Sequence, residues 1–253
     1  MGQYGKYGQL VIAPRHILKR AAASAMALIC TTTFAAASCR LALVLAIDVS
    51  NSVDATEDIL QRNGLANALI APEVQQAMFA SDFDVTLAAF EWPGRHHQHL
   101  LFDWTLIDGP ARLLAASNKV LNSIRGQTDF PTALRHALDF SVDLLERAPS
   151  CLACTIDVGG NGKNNDGYEP SQAYAQRNFD GITVNSLVIR VIDLGVDTGV
   201  LPYYKSQVIR GPGAFTKVAD RFEDYERAMR HKLERELAPA MIGVLSPTSG
   251  GRG

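Results

Sequence analysis

LALVLAIDVSNS, residues 41–52, is the stretch from which the fold can be read. Seven of the eight residues from Leu41 to Asp48 are aliphatic. The eighth is a carboxylate, and the hydroxyls of Ser50 and Ser52 follow at alternate positions. A short, continuously apolar run with an abrupt polar end suits a strand buried on both faces at the centre of a parallel sheet. The β-branched Val44 and Ile47 favour a strand over a buried helical segment. Asp48, Ser50 and Ser52 then lie at the strand's carboxyl end, where open α/β sheets place their ligands. One carboxylate and two hydroxyls offer three hard oxygens, which suits a Mg²⁺-like ion and not a soft metal. The competing role is structural, with Asp48 capping a helix and the serines satisfying turn amides.

Working outward, the chain has 253 residues, a formal charge of −2 and 47% hydrophobic residues. That is the composition of a globular protein, and no basic stripe points to nucleic acid. Residues 1–38 differ. Lys6, Arg15, Lys19 and Arg20 precede an apolar run from Ala21 to Ala37, and no acidic residue occurs before Asp48. This is the pattern of a secretory signal peptide cleaved near Ala37 or Ser38, which implies a periplasmic or secreted protein. Ser38-Cys39 opens lipoprotein anchoring as an alternative, although Ala36 stands where a lipobox prefers Leu. Cleavage would leave 20 basic against 26 acidic residues, a charge of −6. It would also leave Cys39, Cys151 and Cys154 in an oxidising compartment, where pairing is expected. Cys151-x-x-Cys154 alone suggests redox chemistry or half a zinc site. No second C-x-x-C completes a zinc site, and the pair precedes a strand, so a structural disulfide is expected.

After the first strand, Asp54-Ala55-Thr56-Glu57 has the form of a capping box opening a helix that Pro72 ends or kinks. Val85–Phe90 reads as a strand. A polar turn with His96, His97 and His99 leads to an antiparallel edge strand over 100–104. Residues 111–124 are helical by pattern, and Pro131 is expected to open another helix. Thr155–Val158 reads as a strand running into a loop, Gly159-Gly160-Asn161-Gly162. Residues 157–164 fail as a P-loop because Asp157 and Asn164 occupy two of its fixed positions. Ile182–Val191 and Tyr203–Ile209 are read as the last strands. A final helix has apolar spacing from Val218 to Leu237, and 246–253 is a polar tail with nothing to bury. Alternating strands and helices predict one doubly wound, mostly parallel α/β domain of about six strands over residues 39–245.

A strand ending in D-x-S-x-S, a Thr in a loop before a helix, and a glycine-rich loop after a later strand resemble the von Willebrand factor type A fold. The resemblance is closer to a bacterial family, domain of unknown function 1194, carried by ALVLAIDVSNSVD at 42–54, IDVGGNGKNNDG at 156–167 and YYKSQVIRGPGAF at 203–215. It implies a metal-ion-dependent adhesion site holding Mg²⁺ (or Mn²⁺) on Asp48, Ser50, Ser52 and Thr128, with Asn161 where the family usually has Asp. It also implies a binding module, not an enzyme, whose protein partner offers an acidic group. A metal-free scaffold and a metal-dependent hydrolase are the alternatives. In the strand order so implied, the Leu41 and Thr155 strands are parallel neighbours. Cys39 is therefore expected to bond to Cys151 or Cys154.

Overall fold

The computed structural model describes residues 39–126, 129–190 and 198–238, with the backbone of 192–193 and 196–197. The expected signal segment, the polar tail and Thr128 lie outside these residues. β1 (Cys39–Asp48) is the centre of a six-stranded sheet. β2 (Val85–Trp92) and β4 (Cys151–Gly160) run parallel to it on either side. β3 (His99–Ile107) pairs antiparallel with β2 at one edge. β5 (Ile182–Ile189) lies beyond β4, and β8 (Thr216–Ala219) forms the other edge, both parallel. β6 (Ile192–Asp193) and β7 (Val196–Asp197) make a separate short antiparallel pair.

Two apolar layers sandwich the sheet, as the continuous hydrophobicity of β1 requires. Leu41, Leu43, Leu45 and Ile47 face one layer with α1 (Ala55–Ile70), α2 (Pro72–Met78), α3 (Pro110–Leu121) and α7 (Tyr225–Leu237). Val44 and Ala46 face the other, with α4 (Leu134–Glu146) and α5 (Pro170–Gln176). The capping box forms as read: Asp54 accepts from the amides of Thr56 and Glu57, and Glu57 reaches back to the Asp54 amide. Among the described residues no helix is long and apolar enough to cross a membrane.

Four readings are corrected. Tyr203–Ile209 is not a strand: α6 (Val200–Tyr203) runs into a π-helical turn at Tyr204–Val208. Its Tyr and Val content suggests β structure, but packing of Tyr204 and Val208 into the second layer decides otherwise. The edge strand is instead β8, so Val218 leaves the final helix, which starts at Tyr225. Pro131 precedes its helix by three residues, because α4 begins at Leu134. Gly159 and Gly160 belong to β4, where they pair with Leu187 and Val188.

Cys39 and Cys151 are register partners in the β1–β4 ladder, with Cα atoms 4.5 Å apart, and they form a disulfide. Cys154 is a free thiol.

Candidate functional site

The carboxyl ends of β1 and β4, together with the segment before α4, converge on one cluster of oxygens. Asp48 is fully buried at the end of β1. Its Oδ1 accepts from the Ser50 amide at 2.9 Å, and its Oδ2 has no hydrogen-bond partner among the described residues. Ser50 Oγ lies 3.1 Å from Ser52 Oγ and 3.1 Å from Thr132 Oγ1. Burial pushes the Asp48 carboxyl up to about 7, against the opposing pull of the Ser50 amide and hydroxyl.

Thr132 was missed in the sequence. It stands beside Ser50; Thr128, the threonine expected at the site, lies outside the described residues. Asn165 Oδ1 accepts from the Thr132 amide at 2.7 Å, and the Asn165 amide donates to the Thr132 carbonyl at 3.0 Å. The Asn51 amide donates to the Phe130 carbonyl at 2.9 Å, so the three loops are stitched by backbone as well as by side chains.

Asn161 is in the cluster but is not open to a ligand at both ends. Its Oδ1 accepts from Ser52 Oγ at 2.7 Å, and its Nδ2 donates to the Ser52 carbonyl at 2.8 Å. An aspartate could make only the first of these bonds, since it has no donor when ionised. The amide therefore fastens the first loop to the third. Gly160, just before it, must lack a side chain. A Cβ there would sit 2.4 Å from Tyr204 Oη and 3.0 Å from Asp48 Oδ2.

Beneath the first two loops lies a buried charge network. Arg62 on α1 is ion-paired with Asp58 at 2.8 Å and with Glu91 on β2. Arg62 also donates to the Ser123 hydroxyl, and Arg125 donates to the Val53 carbonyl. Val53 follows the D-x-S-x-S loop, so this network ties the two loop bases together. Burial raises the Glu91 carboxyl, while Arg62 holds it down.

The cluster opens on a depression of about 310 Å³ lined by Ser52, Thr132, Asn161, Gly162, Lys163 and Val200. Lys163, exposed at this rim, had no role in the sequence reading beyond the failed P-loop. The three hairpin histidines do not converge here. The His97 ring stacks on Phe130, with centroids 3.9 Å apart, and His96 lies 6.1 Å from His136. Among the described residues no group of three or more His, Cys, Asp or Glu is placed to hold a metal ion. A cation at the β1 end would rest instead on one carboxylate and several hydroxyls. That donor set, with a buried carboxylate oxygen lacking a partner, fits a hard divalent ion.

The family described as "Protein of unknown function (DUF1194)" matches residues 38–241. The chain belongs to this family. None of the curated proteins matches. Among solved structures, the pilus adhesin SpaC from Lactobacillus rhamnosus GG superposes with a TM-score of 0.57 at 12% identity, covering 79% of this DUF1194 chain and 31% of that one. Proximal thread matrix protein 1 from the mussel byssus gives 0.54 at 11%, covering 79% and 47%. A von Willebrand factor type A protein from Catenulispora acidiphila gives 0.54 at 14%, covering 79% and 42%. The mussel protein has also been solved with zinc in its MIDAS motif, the metal-ion-dependent adhesion site. The chain thus has a von Willebrand factor A-like fold, and it spans less than half the length of these structures.

Proposed function

We propose that this DUF1194 protein is an exported binding module. In this reading a hard divalent ion, Mg²⁺ (or Mn²⁺), is held by Asp48, Ser50, Ser52 and Thr132, with Thr132 in the role expected of Thr128. The ion presents an open position to an acidic group of a protein partner. The carrying observation is the convergence of the Ser52 and Thr132 hydroxyls on that of Ser50, each 3.1 Å from it, beside a buried carboxylate with one oxygen unpartnered. The adhesin and the matrix protein of the same fold support a protein-interaction role. The Cys39–Cys151 bond supports export, since such bonds persist in oxidising compartments. Lys163 at the rim adds a positive charge that an acidic partner would meet.

A metal-free scaffold is the second reading, and a specific observation favours it. Asn161, where the resemblance to the von Willebrand factor A site implies an Asp, has both ends of its amide committed to Ser52. A cation there gains no charge from the third loop.

Calorimetric titration with Mg²⁺ and Mn²⁺ decides between them. Wild type should bind, and Asp48→Ala should not, while still folding. Asn161→Asp should bind tighter by about 1–2 kcal/mol, the Coulomb gain being partly offset by desolvation of the new charge. In ion-free buffer the same variant should be less stable by about 1–3 kcal/mol, because a carboxylate oxygen replaces the donor to the Ser52 carbonyl. Equal binding by wild type and Asp48→Ala would overturn the metal reading.

A further inference from the structure

The segment YYKSQVIRGPGAF was singled out in the sequence, yet the metal reading gives it no task. Its Tyr204 is completely buried and packs in the apolar layer that Asp48 faces. It begins a π-helical turn, a distortion found often at functional sites. The Tyr204 hydroxyl and Asp48 Oδ2 flank one point, the place where a Gly160 side chain would stand, at 2.4 and 3.0 Å. Among the described residues neither atom has a hydrogen-bond partner. One is a donor in need of an acceptor, and the other is a carboxylate oxygen in need of a donor. Leaving either unmatched in a dry interior is costly. Burial holds the Tyr204 hydroxyl well above its ordinary range, with the charge of Asp48 adding to the effect, so it stays protonated and able to donate.

We infer that Tyr204 is the positioning residue of Asp48: the two unpaired atoms close on each other beside Gly160, the hydroxyl donating to one lone pair of Oδ2 and leaving the other for an ion, while the Ser50 amide holds Oδ1. The carboxylate is then gripped at both oxygens, and its plane is fixed relative to the three loop hydroxyls. Gly160 is glycine because a Cβ there would stand against both the Tyr204 hydroxyl and Asp48 Oδ2. The short helix that leads into this segment, α6, supplies Val200 to the wall of the depression. Residues 200–208 thus act as a fourth element of the site, linked to its charge from below. This positioning holds whether or not a metal binds.

The test is a double-mutant cycle on the ion-free protein, with Tyr204→Phe, Asp48→Ala and the double variant measured by equilibrium unfolding. Tyr204→Phe removes only the hydroxyl. In the wild-type background it should shift the folding equilibrium against the native state by about five- to tenfold. With Asp48→Ala the hydroxyl has lost its acceptor, so Tyr204→Phe should shift the equilibrium by less than about twofold, or toward the native state. Equal shifts in both backgrounds would overturn the inference. Mn²⁺ affinity gives a readout that packing alone would not move: Tyr204→Phe should weaken it about threefold or more, and an unchanged affinity would also overturn the positioning role. A wild type that takes up no Mn²⁺ would defeat the metal reading instead, and the ion-free cycle would still decide the role of Tyr204.

Discussion

Replacing Cys39 and Cys151 together by serine should lower the unfolding free energy by about 4–5 kcal/mol, one of the two largest effects expected in this molecule. The bond joins residues 112 apart in sequence, and the chain-entropy cost it removes from the unfolded state grows with the logarithm of that loop. In the folded state the two cysteines are register partners at the start of adjacent parallel strands. Parallel pairing brings distant segments together and gains little local support, so fixing β1 against β4 at their amino ends removes the largest entropic obstacle to the central pair. Substituting both residues prevents a replacement bond between Cys151 and Cys154. Urea unfolding of the oxidised wild type, the reduced wild type and the double variant makes the comparison. The last two should agree with each other and fall well below the first. Identical midpoints for all three would mean that the bond does not constrain the unfolded chain.

Much of the fold was legible because β1 is unambiguous. Seven residues of buried strand followed by Asp48, Ser50 and Ser52 locate the sheet's centre and the edge at which the site forms, and the capping box at Asp54 fixes where the next helix starts. The resemblance then placed Cys39 next to Cys151 and Cys154, which spacing alone could not do, and the register of β1 and β4 chooses Cys151. The misreadings have physical causes. Tyr203–Ile209 has strand-like composition, but a buried Tyr204 reaching toward Asp48 requires a helical turn that propensity does not encode. Gly159 and Gly160 look too permissive for a strand, yet both pair with β5, and residue 160 is glycine because Tyr204 and Asp48 leave no room for a Cβ. Thr132 was overlooked because the loop contains two threonines, and its place beside Ser50 rests on a tertiary hydrogen bond that sequence does not encode. Lys232 and Glu236, on the final helix, had no part in the sequence reading, although both side chains are buried.

Those two residues carry the second large effect. Lys232 on α7 is inaccessible to solvent, and its Nζ lies 2.6 Å from both Asp157 Oδ2 on β4 and Glu236 Oε1. Asn185 on β5 donates to the same Glu236 oxygen at 2.7 Å. One ammonium thus serves two buried carboxylates between the final helix and the sheet. Lys232→Met keeps the length of the side chain and removes the charge. Breaking a buried pair by deleting one partner costs about 3–5 kcal/mol, because the remaining charge is left in a poorly solvated site. The loss should depend on pH, and its sign follows from Asp157. Burial pushes that carboxyl up to about 7, while Lys232 pulls it down and Glu236 pushes it further up. An unfolded Asp titrates near about 3.9, so between about pH 4 and 7 the folded chain keeps a proton that the unfolded chain has released. This group's contribution to stability is therefore complete below about pH 4 and is lost as pH rises through 7. Removing Lys232 takes away the only one of these influences that favours the carboxylate, so Asp157 should hold its proton to still higher pH. The variant should accordingly lose most stability near pH 7.5 and recover part of it at pH 5, where Asp157 is neutral in the fold. Chemical denaturation of wild type and Lys232→Met at the two pH values reads the difference directly. A loss below about 1 kcal/mol, or the same loss at both pH values, would show that the ammonium does not favour the charged form of Asp157.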